Sequence, residues 1–161
     1  MKLSERAQKK IELETLHADL VGRPWPGRRY PGCYEVIQLY VKKELGRDLK
    51  NFSGLYTSFK DEAVAEEDGL WISKPRWGEP LDFDIIKKND LLLYKIYTDS
   101  LGGGYSTKME ERAPNHGAIY LGDGFILHQV WQEKSTIVDL MSKGAYLYQH
   151  SCVGIVRENA T

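Results

Sequence analysis

The chain has 161 residues, enough for one domain, 1–161, with a sizeable core. Lysine and arginine number 22 against 23 aspartates and glutamates, for a net charge of -1, so no global field draws it to nucleic acid or an acidic membrane surface. No apolar run reaches the length of a membrane-spanning helix, and two cysteines without CxxC spacing are too few for a disulfide scaffold.

Met1-Lys2-Leu3-Ser4-Glu5-Arg6 lacks the apolar core of a secretory signal, so synthesis in the cytoplasm, with any delivery elsewhere by another route, is expected. Residues 4–21 read as a helix. Ala7, Ile11, Leu16 and Leu20 recur at helical spacing, Ser4 can cap its start and Gly22 its end. His17 lies off that stripe and is expected to be solvated. The prolines and glycines of residues 22–32 exclude regular structure.

A second helix is predicted from Cys33, with Val36, Ile37, Tyr40, Val41 and Leu45 as its apolar face and Gly46 as its stop. Cys33 falls in its first turn, where free N–H groups and the helix dipole favour an anion. That placement is expected to lower the thiol pKa; a small buried hydrophobe is the alternative. A third helix is predicted within residues 54–68, and residues 71–88 read as irregular.

Residues 90–97 form the first clear strand, apolar enough to lie centrally in a sheet. Residues 98–114, with Gly102-Gly103-Gly104, read as a mobile flap and not a phosphate loop, since no Gly-Lys-Ser/Thr follows. Residues 115–128 read as a β-hairpin turning at Gly122-Asp123-Gly124. In that register Leu121 opposes Phe125, Ala118 opposes His128, and His116 sits diagonally from His128 on one face. Residues 135–140, 146–148 and 152–157 read as further strands, and Cys152 as a packing residue. Helices first and an antiparallel sheet after make an α+β fold.

Cys33 on a helix N-terminus, with His116 and His128 on adjacent strands, is the layout of a thiol hydrolase. A thiolate attacks a carbonyl, an imidazole manages the protons, and a third polar group fixes that imidazole's tautomer.

At these residues the sequence resembles the NlpC/P60 family of cysteine peptidases, and within it the branch of phage tail tips. Four segments carry the likeness: Leu20-Val21-Gly22-Arg23-Pro24-Trp25, the helix from Cys33 to Leu49, Lys88 to Tyr94, and Asn115 to His128 with the later Val153 to Arg157. The resemblance implies a papain-like α+β fold, with N-terminal helices packed on a small antiparallel sheet. It implies Cys33 as nucleophile, His116 as base and His128 as orienter, with no cofactor and no metal. Peptidoglycan stem peptides would be the substrate and other tail-tip or hub proteins the partners, without nucleic acid or membrane insertion. The place of action would be a virion tail tip at the cell wall or periplasm.

The family has Asp before the cysteine, a small residue after it and commonly Tyr in the Gly-x-Pro-aromatic motif. This chain has Gly32, Tyr34 and Trp25 there. In relatives these positions help hold the free amine of a stem peptide, so Trp25 and Tyr34 are the candidate substrate-binding residues and glycan-attached stems the expected substrate. Three alternatives stand beside this reading: a zinc site of Cys33, His116 and His128, a catalytically idle plug or adaptor of the tail tip, and a related amidase or acyl-transfer enzyme. A disulfide between Cys33 and Cys152 is left open.

Overall fold

The computed structural model of the chain describes residues 2–26, 32–49, 69–96, 114–130 and 132–158. The predicted helix within 54–68 and the flap up to residue 113 lie outside them.

The elements run α1 (Leu3–Leu16), α2 (Gly32–Leu45), β1 (Gly69–Ser73), β2 (Leu91–Tyr94), β3 (His116–Gly122), β4 (Phe125–His128), β5 (Thr136–Asp139), a 3-10 turn (Lys143–Ala145), α3 (Tyr146–His150) and β6 (Cys152–Glu158). The strands form one antiparallel sheet in the order β1-β6-β2-β3-β4-β5, with β2 central as its apolar run predicts. The period of two sorts its side chains into two cores. Leu91, Leu93, Ile119 and Leu127 face α2, whose Val36, Ile37, Tyr40 and Val41 are buried against them. Leu92, Tyr94, Ala118, Tyr120 and Ile126 face the other way, toward Leu140, Ala145 and Tyr148.

α2 follows its sequence pattern. Gly46, at φ +68, closes it in the left-handed conformation, its N–H donating to the Lys42 carbonyl at 3.1 Å. The Tyr40 hydroxyl reaches Asn89 Oδ1 at 2.6 Å and so ties the helix to the approach to β2. The buried Asp90 carboxylate accepts from Arg157 Nε and Nη2, both at 2.8 Å, which fastens β2 to β6. That pairing holds the Arg157 guanidinium above its ordinary range.

The first helix departs from its predicted form. It ends at Leu16, and residues 17–20 continue as turns. Ile11 and Leu16, placed on the apolar stripe, are 56% and 60% exposed. The buried positions are Leu13, His17 and Leu20, and His17 is only 1% exposed where solvation was expected. Its ring packs on Tyr40 at 5.4 Å between centroids. α1 docks through Arg6, which clasps Asp139 with Nε and Nη2 and donates to the Asp123 carbonyl at 2.8 Å.

Two further expectations fail. Residues 71–73, read as irregular chain, belong to β1. Its Trp71 ring lies so close over Gly154 of β6 that a Cβ there would sit 2.6 Å from Cζ3. Residues 146–148, read as a strand, begin α3. Two aromatics at alternate positions imitated a strand. Tyr146 instead stacks on His150 one turn along, at 3.9 Å.

Candidate active site

The hairpin β3–β4 supplies both imidazoles. Its loop is the pair Asp123-Gly124, each at positive φ (54° and 86°), as a two-residue turn of matching twist requires. Gly122, not Leu121, opposes Phe125. A bulge at Leu121 absorbs the extra residue, so Ala118 still opposes His128 as the pattern predicts. His116 Nε2 meets His128 Nδ1 at 2.9 Å. Both rings are buried. Burial, reinforced by the neighbouring His128, holds His116 well below the ordinary histidine range. Burial alone pushes His128 down to about 4. The pair is neutral at pH 7 and shares one hydrogen-bonding proton.

Two tyrosines that sequence reasoning passed over complete this cluster. Tyr94 pairs with His116 in the β2–β3 register, with ring centroids 5.9 Å apart. Tyr148 of α3 lies 4.8 Å from His128 and 6.2 Å from His116. Tyr94 was legible as a strand neighbour once β2 and β3 were aligned. Tyr148 was hidden by the strand reading of its segment.

Cys33 is buried in the core on the α2 side. The Gly117, Tyr34 and Cys33 backbone N–H groups favour its thiolate, but burial outweighs them and pushes the thiol up to about 12. The expected lowering is therefore overturned. A helix terminus stabilises an anion by a local field, while complete desolvation of a sulfur charge costs more. Gly117, whose N–H reaches the thiol, directly follows His116 in β3. Among the described residues no hydrogen bond joins the thiol to either imidazole. The pleat places both imidazoles on the sheet face of Tyr94 and Tyr148 and Cys33 on the α2 side, so the structure does not bring the thiol and the imidazole pair into contact.

The chain between the first two helices is anchored close by. Ser135 Oγ donates to the Leu20 carbonyl at 2.6 Å and accepts from the Arg23 N–H at 2.9 Å. Gln129 Nε2 donates to the Arg23 carbonyl at 3.0 Å. This lays the Trp25 ring on Gly32: an added Cβ would fall 2.6 Å from ring atoms Cε3 and Cζ3. Residue 32 has no side chain where the tryptophan takes the space. Trp25 is half-buried, whereas Tyr34 is buried in the α2-side core. Asn115 and Gln129, the other polar groups near the histidines, are engaged elsewhere. Asn115 brackets the Ile96 N–H and carbonyl at 2.9 and 2.6 Å, and Gln129 spans Arg23 and Glu133. Both cysteines are free thiols. The described residues contain no group of three or more histidine, cysteine, aspartate or glutamate side chains arranged for a metal, so the zinc alternative lacks its ligand set. None of their helices is long and apolar enough to cross a membrane.

The fold is α+β with its long helices on one face of an antiparallel sheet, of the papain-like kind. Two solved structures similar to it are NlpC/P60 family proteins. One, from Staphylococcus aureus subsp. aureus Mu50 and described as similar to lipoprotein, is 18% identical with a TM-score of 0.50, the match covering 100% of this chain and 44% of that one. Another NlpC/P60 family protein, from Bacillus cereus ATCC 10987, is 21% identical over 53% of this chain and 24% of its own, with a TM-score of 0.33. The likeness is one of fold, and this chain spans less than half the length of either protein. No family model and no curated protein matches the sequence.

Proposed function

We propose that the protein is a thiol hydrolase that cuts the peptide stems of peptidoglycan. The observation that carries this reading is the hydrogen-bonded pair His116–His128, 2.9 Å apart, on the strand whose Gly117 N–H bonds a thiol at a helix N-terminus. The NlpC/P60-type fold supports it.

The resting groups are neutral, so the reaction starts from thiol and imidazole and not from a standing ion pair. Cys33 Sγ attacks the scissile carbonyl carbon while the His116 imidazole, once turned toward the Cys33 side, takes the thiol proton at Nδ1. His128 accepts from His116 Nε2–H and steadies the imidazolium that forms. Backbone N–H groups around the sulfur are suited to the charge that develops on the carbonyl oxygen. Collapse expels the stem amine, which leaves with the proton from His116. Water, deprotonated by the same imidazole, then hydrolyses the thioester and restores the thiol.

The finer reading is a component of a phage tail tip or tail-like particle, docked on neighbouring tail or hub proteins and carried by them to the cell wall. It rests on the sequence resemblance. Occupation of the Gly32 position by the Trp25 ring favours stems still attached to glycan over free ones, because no carboxylate remains there to hold a free amine. Incubation with intact sacculi and, separately, with soluble stem peptides tests this. Release of fragments from sacculi is expected; rapid hydrolysis of the free peptides with none of sacculi contradicts it.

A second reading, a catalytically idle plug or adaptor of the tail tip, is favoured by one observation. The thiol is pushed up to about 12 and lacks a bond to an imidazole among the described residues. Hydrolysis of neither substrate, with Cys33 reduced, would establish that reading.

A further inference from the structure

We propose that Tyr148 is a positioning residue of the histidine pair, its ring edge fixing the His128 imidazole so that His128 in turn fixes His116. The catalytic consequence rests on His116 acting as the base; the positioning itself does not.

The second imidazole of the pair has an unusual orienter's problem. Its recorded hydrogen bond is to another neutral imidazole, and no carboxylate bonds to it among the described residues. Rotation of a histidine ring about its last torsion is broad, so one such bond leaves the ring loosely set. Orientation must come from packing. Tyr148 supplies it: the rings meet at 4.8 Å and 87°, the edge-to-face geometry that aromatic pairs favour. The same ring stands 5.7 Å from Tyr94 at 86° and 6.2 Å from His116 at 43°. Tyr148 and His116 are the two rings of the cluster that meet the other three, and Tyr148 is the one of these two that comes from outside the hairpin. Tyr94, by contrast, has its recorded imidazole contact with His116 alone.

α3 is fastened firmly enough to serve this role. The Gly78 N–H donates to the His150 carbonyl at 2.9 Å, the Leu81 N–H to the Gln149 carbonyl at 2.7 Å and the Lys95 N–H to the Ser151 carbonyl at 3.1 Å. Tyr146 and Leu147 stay exposed, while Tyr148 covers the pair. The ring therefore also keeps water off His128, which is what holds that imidazole neutral.

Nitrogen-15 NMR of the imidazoles, on the full chain, tests this apart from activity. Tyr148→Phe keeps the ring; Tyr148→Leu and Tyr148→Met keep apolar bulk without it; Tyr146→Leu alters the outer side of the same helix. Wild type, Tyr148→Phe and Tyr146→Leu should show one His128 tautomer and the same titration. The ring-less variants should show averaged tautomers and a His128 titration raised by about one unit or more as water gains access. On sacculi their kcat should fall about tenfold or more, with KM within about twofold. Of the two ring-less variants, whichever keeps the wild-type circular dichroism decides. An unchanged tautomer and titration in it overturn the proposal. An inert wild type overturns the hydrolase reading but leaves the NMR comparison to decide the role of Tyr148.

Discussion

His116 Nε2 and His128 Nδ1 stand 2.9 Å apart, on residues placed diagonally across β3 and β4 by the pairing of Ala118 with His128. One ring donates and the other accepts, so the two have unequal tasks. With His116 as the base and His128 as its orienter, an amide of similar reach should replace His128 in part. The account predicts that His116→Ala lowers turnover by about 10²- to 10⁴-fold. His128→Asn should retain about tenfold more activity than His128→Ala. Initial rates of fragment release from sacculi measure this; equal activity of wild type and His128→Ala would remove His128 from the mechanism.

Folding buries three histidines as neutral rings, and this makes stability depend on pH. His128 falls to about 4 in the fold, and burial lowers His17 and His116 as well. Lys43 adds to the lowering of His17, while Glu44 opposes it. Each ring binds a proton more readily in the unfolded chain. Their contribution is therefore intact above the unfolded value near 6.5 and is lost as pH falls toward the folded value. For His128 alone the loss between pH 7 and pH 4.5 is on the order of 2 kcal/mol. Urea midpoints should fall steadily over that interval. A flat profile would show that the rings are not buried and neutral.

The hairpin and α2 were legible because each satisfies several local rules at once. Asp123-Gly124 between apolar runs fixes the turn, and Val36, Ile37, Tyr40 and Val41 fix the helix face. The face of α1 was misread because Ile11 and Leu16 are apolar yet exposed, while the buried stripe carries the polar His17. Burial here follows Tyr40, a partner that arrives from α2 and cannot be seen in the α1 sequence. β1 was missed because a single edge strand over Gly154 has no local alternation to announce it. The thiol's environment was misjudged for the same reason. The helix terminus is a local feature, whereas the burial that outweighs it is made by the sheet.

Both thiols should therefore be sluggish in the resting fold. Burial pushes Cys33 and Cys152 each up to about 12, so little thiolate is present near neutral pH. Iodoacetamide at pH 7.5, read by peptide mapping, should label both at least about a hundredfold more slowly in the folded protein than in urea. Rapid labelling of Cys33 in the folded protein would mean that its working environment is more open and more polar than the packed one.

Trp25 and Gly32 fit as one unit. A methyl group at residue 32 would press to 2.6 Å from two carbons of the indole and 3.0 Å from Pro26 Cδ. Gly32→Ala should cost about 1 to 3 kcal/mol, or several degrees of Tm, as overpacking does. In the Trp25→Ala background the same change should cost much less. Thermal melts of the four proteins complete the cycle, and additive effects would mean that the indole does not occupy the space above Gly32.

The central claim is that Cys33 attacks a peptidoglycan stem. It is tested most directly by mass analysis of sacculi digested with wild type and with Cys33→Ala, alongside the intact mass of acid-quenched protein. The account predicts stem-peptide fragments and a thioester-linked stem fragment on Cys33 with wild type, and neither with Cys33→Ala. Fragment release by Cys33→Ala at the wild-type rate, or none by wild type, would contradict it.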